Sequence, residues 1–67
     1  MVTMERLREL RLEKGLTQQQ LANAVNVNQR TISQYERGIN EPDIKTLKKL
    51  SAFFNVTVGQ LVGTEDY

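Results

Sequence analysis

The chain has 67 residues, with nine Lys and Arg against eight Asp and Glu, and neither His nor Cys. At this size only about 60% of the unfolded chain's surface can be buried, so one small core is the ceiling. The missing His and Cys exclude disulfides, thiol nucleophiles and most zinc or haem ligand sets.

Charge is unevenly spread. Residues 1–38 hold Arg6, Arg8, Arg11, Lys14, Arg30 and Arg37 against Glu5, Glu9, Glu13 and Glu36, a balance of +2, whereas residues 39–67 come to −1. A polyanion meets the N-terminal half more willingly. No apolar run approaches the ~18 residues that a membrane span needs, and the N-terminus has no signal-peptide core. A soluble cytoplasmic domain, with no membrane association, is expected.

Punctuation divides residues 1–67 into a single all-α domain, with helices over about 4–14, 18–25, 29–37, 44–54 and 58–62. Thr3 is placed to cap the first helix, whose Met4, Leu7 and Leu10 form one stripe, and Gly15 ends it. Thr17 caps the second, with Leu21, Ala22 and Val25 at helical spacing. Asn28 caps the third and Gly38 closes it. Pro42 then breaks the chain, Asp43 caps the fourth helix, and Asn55 suits the left-handed position that ends it. Thr57 caps a last short helix ended by Gly63. The tail from Thr64 to Tyr67 is expected to fray.

The third helix is divided in two when its residues are projected at about 100° each. Gln29, Ser33, Arg37, Arg30 and Gln34 share one polar arc, while Thr31, Ile32 and Tyr35 face the other way and Glu36 sits on the border. Amides, a hydroxyl and guanidiniums are the groups that pair with base edges: Gln with adenine, Arg with guanine, Ser with either. The triplet Asn26-Val27-Asn28 joins this helix to the second. An Asn tolerant of positive φ and an apolar Val to plug the corner make a helix-turn-helix over 18–37. Small Ala22 lets the two axes approach closely.

Here the sequence resembles a known family. "LTQQQLANAVNVNQRTISQYERG" is similar to the Cro and phage-repressor (XRE-like) helix-turn-helix proteins, through Gln-x-x-Leu-Ala, a turn, and Ile-x-x-aromatic-Glu-x-Gly. The likeness extends through Pro42, Leu47 and Leu50 to the closing "NVTVGQL". It departs at Asn26, where the family usually has Gly, and at Glu41 and Asp43, where relatives are often basic. Gln60 stands where some relatives carry a bulky residue.

The resemblance implies a compact five-helix lambda-repressor-like fold and a sequence-specific regulator of transcription, a repressor, bound to double-stranded DNA. Its third helix would lie in the major groove while the second crosses the backbone. Carried over by position, base contacts fall on Asn28, Gln29, Arg30, Ser33 and Gln34. Phosphate contacts fall on Gln18 and Thr17, at the amide-rich start of the second helix, and on Arg37 and Asn40 around the loop after Gly38. A bacterial or phage-encoded, nucleoid-associated protein is implied.

Arg11 projects close to the Met4–Leu7 stripe and Glu36 borders the packed face of its helix. The resemblance places a structural ion pair on these two residues; the rival reading is that Arg11 contacts phosphate directly. One recognition helix reaches few base pairs and one module buries only about 600–1,000 Å², so a symmetric homodimer on a palindromic operator is expected. Val58 and Val62 are its expected surface, with Leu61 in the core. No catalytic set, metal or cofactor is expected, and Glu9 and Glu13 read as solvated charge. The alternative is a protein-interaction module, such as an antitoxin or regulatory partner. Its feature would be apolar surface around Phe53, Val58 and Val62 beyond what the core absorbs, against a reading of Phe53 and Phe54 as core.

Overall fold

The computed structural model describes residues 4–64. Its helices are α1 (Glu5–Glu13), α2 (Gln18–Ala24), α3 (Gln29–Glu36), α4 (Ile44–Phe54) and α5 (Val58–Val62), and no strand occurs among the described residues. The all-α expectation holds. Thr3 and the last three residues of the expected fraying tail lie outside the described residues. The N-cap position of α1 falls on Met4, which makes no side-chain capping bond.

Every other helix starts on the residue type its sequence announces. Thr17 and Thr57 each accept from the backbone N–H three residues on, and the Gln at that position returns the bond to the cap's own N–H. Asn28 and Asp43 accept from Thr31 N and Thr46 N at 2.8 Å each. Such a cap is worth about 1 kcal/mol, because it satisfies a donor that the helix itself leaves open.

Several helices stop one residue earlier than expected. Lys14, Val25 and Arg37 are C-cap residues: their N–H groups still bond backward, but the chain is already turning. After Val25 the chain enters the left-handed region at Asn26, φ 61°, and Val27 N bonds back to Ala22 O at 3.0 Å. This wrap satisfies an orphan carbonyl of α2 and delivers Asn28 directly as the cap of α3. The same wrap recurs after α3, with Gly38 at φ 72° and Ile39 N on Gln34 O at 3.0 Å. There the positive φ is what glycine supplies without a Cβ clash.

The core draws on all five helices. Leu7 and Leu10 of α1, with Met4 just before it, meet Leu21 and Ala22 of α2 and Ile32 and Tyr35 of α3. Leu50 and Phe54 of α4 and Leu61 of α5 close it, with Val25 at the end of α2. Val27 is half-buried against this cluster and plugs the corner of the turn. Phe54 is buried as expected, but Phe53 packs on the cluster while keeping one side open. The two rings meet edge to face at 5.0 Å, and Lys14 Nζ lies 5.6 Å from the Phe53 centroid. A cation over that ring explains how an aromatic side chain is tolerated half outside.

Candidate nucleic-acid interface

The helix-turn-helix presents one side of α3 to the outside. Ile32 and Tyr35 are buried, and Thr31 is half-buried with its hydroxyl on Asn28 Oδ1 at 2.8 Å. On the other side Gln29, Arg30 and Arg37 are exposed, and Ser33 and Gln34 are half-exposed. The helix is held through its apolar side, so its amides, hydroxyl and guanidiniums form an outward row. Asn28 sits at the head of that row. Its Oδ1 is engaged in capping, which leaves its amide NH2 as the outward group.

The start of α2 lies beside the start of α3. Gln29 Nε2 donates to Gln18 Oε1 at 2.8 Å, and Gln18 Nε2 donates to Glu36 Oε1 at 3.2 Å. The expected base-reading Gln29 and the expected phosphate-holding Gln18 are therefore joined to each other. Thr17 is exposed, with its Oγ1 accepting from Gln20 N. Asn40 is exposed in the loop after α3, and its Oδ1 accepts from Glu41 N at 3.0 Å. Thr17 and Asn40 thus serve local turns and also stand open to solvent.

Behind this surface lies a buried ion pair. Arg11 Nε donates to Glu36 Oε2 at 2.7 Å and Arg11 Nη2 to Glu36 Oε1 at 3.1 Å, a two-pronged geometry. Nη1 donates to the carbonyl of Leu16 at 2.8 Å. The two side chains are 10% and 4% exposed. The pair ties α1 to the end of α3, and the Leu16 bond ties both to the chain entering α2. An Arg this enclosed is not free for phosphate.

Two ionisable groups mark the junction of α3 with α4. Burial pushes the Tyr35 phenol up, Asp43's charge adds to this, and a hydrogen bond with Thr46 opposes it. The bond from Thr46 N, followed by that from its hydroxyl, holds the Asp43 carboxyl below the usual carboxylate range. Asp43 is thus occupied in capping α4. Val58 is exposed and Val62 half-buried. Both line an apolar groove with Met4, Pro42, Leu47 and the flank of Glu41. Exposed apolar side chains also occur at Leu12, Ile39 and Ile44.

Some of this was beyond the sequence reading. The Gln18 bonds to Gln29 and Glu36 link residues 11 and 18 apart, a separation that no local periodicity reports. Gln20's return bond to Thr17 was signalled by the Thr-x-x-Gln spacing. Among the described residues, no helix is long and apolar enough to cross a membrane.

A short braced helix joined by a tight left-handed turn to a second helix with a free polar face defines a helix-turn-helix protein. A helix-turn-helix family model matches residues 7–61, and the chain belongs to this XRE-type family. It is 42% identical over 62 residues to the HTH-type transcriptional activator BcrR of Enterococcus faecalis, covering 92% of this chain and 30% of that protein. It is 34% identical over 61 residues to the cryptic phage CTXphi transcriptional repressor RstR of Vibrio cholerae, covering 91% of this chain and 55% of that one. A crystal structure of a transcriptional regulator from Listeria innocua matches with a TM-score of 0.86 and 36% identity, over 96% of this chain and 60% of that chain. The chain thus spans about a third and about half of the lengths of these two curated relatives.

Proposed function

We propose that this protein binds double-stranded DNA sequence-specifically and regulates transcription, laying α3 in the major groove. The observation that carries the reading is the outward row on α3. Gln29, Arg30, Ser33 and Gln34 are withheld from the core on a helix whose other face is packed through Ile32 and Tyr35. Asn28 extends the row at its head. Arg37 and Asn40 flank it at one end, and Gln18 and Thr17 at the other, as phosphate-contacting groups. Base contacts specify and phosphate contacts position. No reacting group is needed for this function, and the protein acts without a catalytic residue or cofactor.

The active species is a symmetric dimer. The described chain measures 26 × 24 × 19 Å, less than one turn of duplex at about 34 Å, so one copy reads only a half-site. Val58 and Val62, on the apolar groove, are the contact between copies. The operator is accordingly palindromic. Repression is the proposed sign, supported by the relative named as a repressor. A reporter placed behind the operator should fall in output when the protein is expressed.

Gel shifts on duplexes selected from a random pool, repeated over a range of salt, test the reading. Each neutralised phosphate contributes a slope of about −0.9 to log K against log salt, so affinity should fall steeply. No selected sequence, or an affinity indifferent to salt, refutes it and leaves the protein-interaction reading.

A further inference from the structure

Outside α3, the helices treat their cations differently. The arginines of α1 are matched in sequence by Glu5, Glu9 and Glu13, whereas α4 holds Lys45, Lys48 and Lys49 and no Asp or Glu. Projected at about 100° per residue, these lysines and Ala52 share an arc of about 100°, opposite Leu47, Leu50 and Phe54. All three lysines and Ala52 are exposed, while Leu50 and Phe54 are buried. Among the described residues, none of the three lysines forms a salt bridge. Like charges three and four residues apart on a helix repel, so an anion laid along this face stabilises it.

The chemistry of the arc favours a phosphate backbone over a protein surface. An ammonium is a point charge that needs no set geometry, which suits evenly repeated phosphates. The centre of a protein interface is instead depleted of Lys and enriched in aromatic residues, and the apolar member of this arc is only Ala52.

The arc is also set apart from the row on α3. Residues 38–43, which link α3 to α4, include Glu41 and Asp43, both exposed, and no Lys or Arg. A backbone running unbroken from α3 to the lysines would pass these two carboxylates, which repel it. The helix neighbours differ too: α3 packs chiefly on α2 and α1, and α4 on α5. We propose that the outer face of α4 holds the phosphate backbone of a second duplex segment, without regard to sequence, while α3 reads the first. One protein thereby links two stretches of DNA. The inference rests on α3 binding DNA.

Retention of a second duplex tests this. An operator duplex selected by the protein is immobilised and saturated with it, and a labelled duplex lacking the operator is added. The wild-type protein should retain the label. With three phosphates neutralised per copy at a slope of about −0.9 each, affinity for the label should fall about fortyfold between 50 and 200 mM salt. The triple variant Lys45→Gln/Lys48→Gln/Lys49→Gln should lose the label, while its operator affinity stays within about twofold of wild type and its melting midpoint is unchanged. Lys48→Glu, a single exposed change, should weaken retention as well and decides the matter if the triple variant does not fold. Retention at the wild-type level in the folded variants removes the lysines from any such site. Operator affinity lost together with the label puts both surfaces on one duplex and overturns the two-segment reading. A labelled poly-glutamate peptide held in preference to the duplex assigns the face to an acidic protein and overturns it too. If the wild-type protein holds its operator but no label, this inference alone fails; if it selects no operator, the reading of α3 fails with it.

Discussion

Replacing Arg11 with Met should come close to unfolding the protein. Met keeps most of the aliphatic stem, so the loss is chiefly electrostatic. Glu36, with its side chain 4% exposed, loses both Arg11 bonds and retains Gln18 Nε2 at 3.2 Å. The Leu16 carbonyl loses its 2.8 Å donor as well. Leaving one member of a buried pair uncompensated costs about 3–5 kcal/mol. At roughly 0.05–0.15 kcal/mol per residue, a domain of this length holds only about 3–10 kcal/mol in total. With a urea m-value of about 1 kcal/mol per molar, the midpoint should fall by about 3 M or more. Far-UV circular dichroism against urea measures it. The double variant Arg11→Met/Glu36→Leu should recover most of the loss, because an apolar pair carries no desolvation penalty. A loss below about 0.5 kcal/mol in Arg11→Met, the scale of an exposed pair, would refute the argument.

Gln34→Ala should cost about 1–3 kcal/mol on the best operator and relax preference at one base pair, while the circular dichroism melt stays unchanged. A selected consensus identical to wild type removes Gln34 from the base-reading set. Val58→Asp should abolish cooperative binding to a palindromic duplex and leave half-site affinity intact; gel shifts on full and half operators compare them directly, and unchanged cooperativity puts the dimer contact elsewhere. Asp43→Ala should lower the urea midpoint at neutral pH. Because the Asp43 carboxyl is held low in the folded state, the capping advantage is present above the usual carboxylate range and is lost as pH falls through the depressed value. The gap between the two proteins should therefore close in acid, and a gap independent of pH contradicts the capping role.

The helices and their order were legible in the sequence because each depends on neighbours along the chain. Thr17, Asn28, Asp43 and Thr57 cap by reaching three residues ahead, and Asn26 and Asn55 turn left-handed through their own tolerance of positive φ. The division of α3 into a packed and a free face follows from its 3.6-residue period alone. Tertiary structure decided what depends on distance in space. Whether Arg11 is enclosed or open to phosphate turned on where α1 lies against α3, and Glu36 and the Leu16 carbonyl close around it. Phe53 is half-exposed because α4 presents only one flank to the core, and the Lys14 ammonium from the end of α1 lies near the ring. Gln18 and Gln29 are both polar, solvent-compatible side chains, so composition and period treat them as independent. Only the packing of α2 across α3 brings their amides to 2.8 Å, and a hydrogen bond, unlike a hydrophobic stripe, has a polarity that its partner must fix.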